Sequence, residues 1–432
     1  MSLALSAYRV ASRLASPIIK MRLRRSDKVG FDERRGEYSR DKTDKISGGR
    51  TLWLHAVSVG EVNAASPFVR LAAGSGCPGA IVVSTVTRTG AAAAEALMGS
   101  DIAFHVYAPW DIPHVVSAAC DALKPSAYIT VETEVWPNIL MEMRRRGVPT
   151  VLMNARISDR TMRRARFFKT ALREAYELFD CVLARGEEDA GRLRTFGVDS
   201  GKISVSGDCK IDAIIQRRER ASEKIPDLRR RLRLDAPDGV SCLVAGSTHE
   251  GEDEIVTAAL SEFKRSVSRR ALLIIAPRHP ERADRVAAIA RRAGRVAMYS
   301  ELTPDCCDEP PDIVVVDVMG ILYEMYGTAD IVFVGGSLVP LGGQNVLEPA
   351  SWGAPVLHGP DMDDFAAPTA EFDRIGAAHC VKNAGDIAEM WRMAEHGDLK
   401  LSAAAGTDYI FSRSGAAKRS WELIRPLIGG AG

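Results

Sequence analysis

From residue 51 onward, short apolar runs alternate with longer segments patterned for helices. The runs Thr51–Val57, Ala80–Ser84, Ile102–Val106, Ala127–Val131, Thr150–Met153 and Cys181–Ala184 read as strands. Between them, Ala91–Leu97, Ile112–Leu123 and Val135–Arg146 read as helices. A charged stretch from Gln216 to Gly239, with Arg229–Arg231 and Pro237, interrupts the rhythm. It resumes with strands at Cys242–Ala245, Ala271–Ala276, Ile313–Val316, Ile331–Val334 and Pro355–Leu357. Such alternation builds parallel sheets with helices on both faces. The expected class is α/β, with two doubly wound, Rossmann-like domains facing each other across a cleft. Ligands of such sheets bind beyond the carboxyl ends of the strands.

The first 25 residues are patterned differently. At 100° per residue, Leu3, Val10, Leu14, Ile18 and Met21 share one narrow stripe, and Arg9, Arg13 and Lys20 share another. A helix of this kind suits a membrane interface, its apolar stripe in the acyl boundary and its cations on lipid phosphates. Pro17 is placed to kink or end it. Arg9 and Arg13 spoil the apolar core that a signal peptide needs, so export is not expected. No apolar run approaches the length of a transmembrane helix.

Charge sharpens this picture. The 432 residues carry 57 Lys plus Arg and 56 Asp plus Glu, a net charge of +1 that argues against a bulk nucleic-acid binder. Residues 1–50 alone carry 13 basic and 6 acidic side chains, leaving the remainder mildly acidic. A basic head on an acidic body points to an anionic surface as the head's partner. The eight cysteines (Cys77, Cys120, Cys181, Cys209, Cys242, Cys306, Cys307 and Cys380) form no CxxC pair, and the histidines form no HExxH. Buried thiols in a reducing compartment and no zinc site are expected.

The candidate chemistry falls at predicted strand ends. His55-Ala-Val-Ser-Val-Gly-Glu61 runs from a strand into a helix start, where Glu61 could serve as a general base or simply favour the helix dipole. Glu132-Thr-Glu134-Val-Trp136-Pro-Asn138 sets two carboxylates beside a tryptophan. Gly207-Asp-Cys-Lys210 offers a lysine for phosphate or developing negative charge. Gly246-Ser-Thr-His-Glu-Gly251 and Pro277-Arg-His-Pro-Glu-Arg282 suit phosphate, although no Walker loop is present. Two Gly-Gly pairs in 335–343 lead toward a helix expected to carry Asn345 and Glu348, the latter an acceptor for ribose hydroxyls.

These segments carry a resemblance. HAVSVGE (55–61), ETEVWPN (132–138), NARISDR (154–160), GDCK (207–210), GSTHEGE (246–252), APRHPER (276–282) and GGSLVPLGGQNVLEPA (335–350) occur in the order found in the 3-deoxy-D-manno-octulosonic acid (Kdo) transferases. The similarity runs from about Arg25 to about Asp364. It implies a GT-B glycosyltransferase, peripheral on the cytoplasmic face of the bacterial inner membrane. Such an enzyme moves Kdo from CMP-Kdo to the lipid A precursor with inversion and without a metal or other cofactor. By motif position, Glu61 is the catalytic base, and Glu132 and Lys210 stabilise the transition state. Pro277, Arg278, Met319, Gly320, Ile321, Asn345, Val346, Leu347 and Glu348 contact the CMP moiety. The implied domains are a membrane-associating segment 1–25, an acceptor domain 26–212, a charged connection 213–240, and a CMP-sugar domain 241–432 that includes a C-terminal helix.

The chain departs from the family pattern at Asp208, Val318, Ile321, Gln344, Asp361 and Asp364. A paralogous transferase using another activated acidic sugar or acceptor, and a GT-B sugar-nucleotide epimerase, therefore stand as alternatives. Asp361-Met-Asp363 has the DxD spacing of some metal–nucleotide sites, but it falls in a family loop without that role and reads as a surface loop.

Overall fold

The computed structural model describes residues 3–24, 29–46, 50–77, 79–157, 170, 172–303 and 309–429. Cys306, Cys307, residues 158–160 of NARISDR and the side chains of residues 16–28 lie outside that description.

Two compact units divide the chain, one of Met1–Ala213 with Arg413–Gly432 and the other of Ile214–Ser412. In the first, β1 (Thr51–His55), β2 (Ala80–Thr85), β3 (Phe104–Tyr107), β4 (Pro125–Val131), β5 (Thr150–Ala155), β6 (Cys181–Ala184) and β7 (Ile203–Val205) form a sheet ordered β3-β2-β1-β4-β5-β6-β7. All its pairings are parallel. In the second, β8 (Val240–Thr248), β9 (Arg270–Pro277), β10 (Val296–Met298), β11 (Ile313–Val315), β12 (Ile331–Val334), β13 (Val356–His358) and β14 (Ala378–Cys380) are ordered β10-β11-β9-β8-β12-β13-β14, again all parallel.

Burial on both faces explains why these runs are strands. Leu52 and Leu54 of β1 enter one core cluster and Trp53 the opposite one, all without solvent exposure. Such two-sided burial is what a parallel sheet with helices on each face requires. The winding direction reverses between β1 and β4 in the first sheet and between β8 and β12 in the second. Each reversal is a topological switch point, where a crevice opens beyond the carboxyl ends.

The structure differs from expectation in several places. The strands β7, β10 and β14 are absent from the apolar runs because each lies at a sheet edge and is only partly buried. Residues 214–240 are not a free connection. They hold the end of the helix Cys209–Ser222 and the helix Ile225–Arg231, and they bury Leu228, Leu232 and Leu234 in the second unit. Their charges are used as well: the Arg231 guanidinium donates to the Tyr299 and Leu302 carbonyls, 2.7 Å each. The C-terminal helix Ala416–Gly429, assigned by sequence to the second domain, belongs to the first unit. Its Trp421, Ile424 and Ile428 join the core beneath the Val59–Gly74 helix, with Trp421 edge-on to Phe68 at 5.9 Å. Asp212 fixes its start by accepting from the Gly415 and Ala417 N–H groups at 2.7 and 2.6 Å.

The helix Leu3–Arg24 continues past Pro17. Leu5 is buried against the first unit, the Tyr8 hydroxyl donates to Asp111 at 2.9 Å, and Ser12 accepts from the Asn138 amide at 3.0 Å. Val10 and Leu14, from the apolar stripe, are 55% and 73% exposed. Among the described residues no helix is long and apolar enough to cross a membrane.

Replacing Trp421 with Ala should cost the first unit about 3–5 kcal/mol, the usual loss for a buried aromatic side chain. Urea unfolding of the full chain measures it. A change below about 1 kcal/mol would mean that the terminal helix is not part of that core.

Candidate active site

The carboxyl ends of β1 and β4 carry the first group of candidate residues. Beyond β1 the chain enters the helix Val59–Gly74, capped by extended Ser58, and Glu61 lies in its first turn. The Glu61 carboxylate turns back to accept from the Val57 N–H, which satisfies an amide at the helix entry. The residue is only 8% exposed. Burial, then the charge of Glu134 and more weakly that of Glu132, push its pKa up to about 7, against the amides of Val57 and Ser58 that pull it down. A carboxylate poised near neutrality is suited to taking a proton.

Beyond β4, Glu132 has a left-handed backbone with φ of 60°. That conformation costs roughly 1–2 kcal/mol outside glycine. It persists because both peptide groups are held to the neighbouring strand segment: the Glu132 N–H donates to Met153 O at 2.9 Å and its carbonyl accepts from Arg156 N at 3.3 Å. The Glu132 carboxylate meets the Lys210 ammonium at 2.6 Å. Glu134 accepts from the Trp136 indole N–H at 3.0 Å, and burial raises its pKa. The Trp136 ring stands edge-on to His55, whose ring is buried and held neutral, its pKa pushed down to about 4 by burial.

Lys210 comes from the helix Cys209–Ser222. Asn154, at the end of β5 and also left-handed with φ of 54°, accepts from the Cys209 N–H at 3.0 Å. Asp208 accepts from the Lys210 N–H at 2.9 Å and faces Arg185 at 3.5 Å. The structure thus brings together Glu61, Glu132 and Lys210 with Glu134 at one switch point. Sequence reasoning named the first three and quoted Asn154 only within NARISDR, without seeing that its amide positions the lysine helix.

In the second unit, Pro277 at the end of β9 with Arg278 just beyond it, and Met319 and Gly320 after β11, line a cavity of about 100 Å³ together with Ser247, Val316, Val318 and Leu322. Ile321 caps the following helix Leu322–Tyr326 and is not part of that lining. Arg278 and Met319 are exposed there. The remaining candidates lie in the β12–β13 connection. Asn345 precedes the short helix Leu347–Ala350 rather than sitting on it, and its side chain accepts from the Leu347 N–H at 3.1 Å. Val346 is fully buried, backbone included. Glu348 is half-buried and pairs with Arg217 at 3.3 Å.

The glycine loop after β12 is organised by a residue that the sequence reading passed over. Glu252, fully buried, accepts from the N–H groups of His249, Gly336, Ser337 and Leu338 at 2.9, 2.7, 3.0 and 2.9 Å. Gly335 is required where the loop crosses β8, since a Cβ there would lie 2.5 Å from Ser247 O. An acidic residue closing GSTHEGE, next to a Gly-Gly loop, was the available signal. Among the described residues no cluster of three or more His, Cys, Asp or Glu side chains is placed to hold a metal ion.

Two doubly wound units with candidate groups at their switch points define a GT-B glycosyltransferase fold. A UDP-GlcNAc 2-epimerase from Neisseria meningitidis, solved with UDP-GlcNAc bound, superposes with a TM-score of 0.61 at 13% identity, covering 87% of this chain and 100% of that one. A glycosyltransferase from Rickettsia africae gives 0.55 at 14%, covering 88% and 98%. At such identities the likeness is one of fold. Sequence is more specific. The chain is 31% identical to the 3-deoxy-D-manno-octulosonic acid transferase of Haemophilus influenzae over 87% of each chain, and 30% identical to that of Bordetella pertussis over 88% of this chain and 87% of that one. The family described as 3-Deoxy-D-manno-octulosonic-acid transferase (kdotransferase) matches residues 29–213. The chain belongs to the Kdo transferase family and is a glycosyltransferase.

Glu252→Ala strips the acceptor from four amides, those of Gly336 and Ser337 buried and those of His249 and Leu338 partly so, and each buried one costs about 1–3 kcal/mol when left unpaired. A loss of at least about 3 kcal/mol in urea unfolding is expected. Stability within 1 kcal/mol of wild type would show that the loop does not depend on this carboxylate.

Proposed function

We propose that the protein transfers Kdo from CMP-Kdo to a hydroxyl of the lipid A precursor, inverting the anomeric centre, with Glu61 as general base. The acceptor oxygen attacks the anomeric carbon, and Glu61 takes its proton. The bond from that carbon to the CMP phosphate oxygen breaks, and its electron pair leaves with CMP. Glu132 and Lys210 form a fixed ion pair that answers the charge developing at the reacting centre. Arg278, Met319 and Gly320 at their cavity, and Glu348 on the β12–β13 connection, are assigned to the CMP moiety. No metal or other cofactor takes part. The observation that carries the proposal is Glu61 itself: buried at the β1 switch-point end, amide-bonded, and raised to about 7 beside Glu134.

One further assignment goes with it. The helix Leu3–Arg24 rests peripherally on the cytoplasmic face of the inner membrane, with Val10 and Leu14 in the lipid interface and Leu5, Tyr8 and Ser12 on the protein. A different activated acidic sugar as donor is the second reading, favoured by the place of two departures. Asp361 and Asp364 donate their N–H groups to Ser337 O and Gly342 O, both at 3.0 Å, which sets extra negative charge against the glycine loop. A panel of CMP- and UDP-activated acidic sugars, assayed by mass spectrometry of the lipid product, decides between the donors. Product from CMP-Kdo alone removes the second reading.

Glu61→Gln should lower turnover about 10²–10⁴-fold. Because Glu61 must be ionised to accept a proton and its pKa is raised, kcat/KM should rise with pH through a limb near 7. An ordinary carboxylate would place that limb well below 6. Release of CMP measures both; undiminished turnover in the Gln variant, or a pH-independent rate from 5 to 8, sinks the assignment.

Val10→Asp with Leu14→Asp should weaken sedimentation with anionic phosphatidylglycerol vesicles at least about tenfold, since both side chains leave an apolar interface. Equal binding by the double variant and wild type would mean that this stripe does not touch lipid.

A further inference from the structure

Arg217 lies outside every motif singled out in the sequence, in the charged stretch that pattern alone marks as a linker. In the structure it has partners in the second unit. Its guanidinium carbon sits 4.0 Å from the centroid of the Tyr323 ring, and its Nη1 is 3.3 Å from Glu348 Oε1. The Tyr323 hydroxyl donates to Ile214 O at 3.0 Å or to Ser351 Oγ at 2.9 Å. Ser351 Oγ donates to the main-chain carbonyl of Glu348 at 2.6 Å. The guanidinium thus lies between the Tyr323 ring and the Glu348 carboxylate.

An exposed ion pair contributes little to stability, because two flexible chains must be ordered for a screened attraction. Here the ordering is already supplied. Stacking on a ring that is itself buried and hydrogen-bonded restrains the guanidinium, and the planar fork of Arg loses little freedom when it then meets a carboxylate. Glu348 is restrained on the other side by its place in the first turn of the Leu347–Ala350 helix. Burial pushes the Glu348 carboxyl up, and Arg217 is the charge that pulls it back down. The bond to Arg217 occupies Oε1. Among the described residues Oε2 has no hydrogen-bond partner, which leaves its lone pairs for hydroxyl donors from a ligand.

We propose that Arg217, seated on Tyr323, is a positioning residue that keeps Glu348 aimed and charged to accept the ribose hydroxyls of the donor nucleotide. This rests on the assignment of Glu348 to the CMP moiety made above and adds what makes that carboxylate selective for a ribose. A neutral or misdirected Glu348 would lose most of its preference for a sugar carrying both hydroxyls, because the preference comes from charge-assisted bonds to them.

The test is calorimetric titration of the full chain with CMP and with 2′-deoxy-CMP, followed by donor kinetics. Wild type should bind CMP more tightly than the deoxy nucleotide. Arg217→Gln should weaken CMP about tenfold, the scale of one charge-assisted hydrogen bond, while weakening 2′-deoxy-CMP less, so that the ratio of the two falls toward one. The larger share of the kinetic loss should appear in the donor KM, and Arg217→Lys should restore part of it. In Arg217→Gln the affinity for CMP should also begin to fall at a higher pH than in wild type, since Glu348 then lacks the charge that holds it ionised. Arg217→Gln binding both nucleotides as wild type does, or losing both equally, overturns the proposal. Wild type that binds CMP without preference over the deoxy nucleotide overturns instead the ribose role of Glu348 itself. The two failures are thus told apart by the wild-type measurement alone.

Discussion

Backbone amides left without partners at strand ends and helix starts are answered in this protein by buried carboxylates. Glu252 accepts four N–H groups and ties the glycine loop after β12 to the loop after β8. Asp111 accepts from Asn138 and Ile139 at the start of the Pro137–Arg146 helix, and also takes the Tyr8 hydroxyl of the first helix. Asp189 accepts from Ile157, and Asp212 from Gly415 and Ala417. A buried carboxylate without donors is costly, and so is a buried amide without an acceptor; each removes the other's penalty. Loops that apolar packing could not hold in place are fixed by this reciprocity, and the 132–138 loop that carries Glu132 and Glu134 ends on one of these anchors.

Within that frame, two carboxylates at the same switch point are given opposite surroundings. Glu132 is forced into a left-handed turn that leads its side chain to Lys210. Among the described residues Glu61 has no cation, only amides, and two acidic neighbours that resist its ionisation. Separating neighbouring carboxylates in this way is how one site supports both a fixed charge and a proton acceptor. The cost of the strained Glu132 backbone is spread over bonds to Met153 and Arg156, on the strand and loop next to β4.

How much of this was legible in the sequence follows from the range of the interactions. The eleven apolar runs named in the sequence all fall on strands, because two-sided burial writes itself as an uninterrupted apolar run. The edge strands β7, β10 and β14 escaped because they are only partly buried, unlike the equally short β11 and β13. Glu61, Glu132 and Lys210 were visible as chemistry at strand ends. What brings the last two into register was not, since Asn154 acts through an amide 55 residues away. Glu252 was missed for a similar reason: its partners Gly336 to Leu338 lie more than 80 residues on. Arg217 and the rest of 213–240 read as a linker in the sequence because charge dominates that stretch. Only the fold shows that its leucines are buried and its arginines have ring and carbonyl partners.

The placement of the terminal helix governs the order in which the protein can be made. Residues 214–412 form a unit from one continuous stretch and have every part of it once that stretch has emerged from the ribosome. The first unit emerges earlier but lacks Trp421, Ile424 and Ile428, which close its core beneath the Val59–Gly74 helix. A nascent chain must therefore carry an incomplete first unit, with apolar surface open, throughout the synthesis of the second. That interval is when a chain of this build is most exposed to aggregation and most in need of a chaperone.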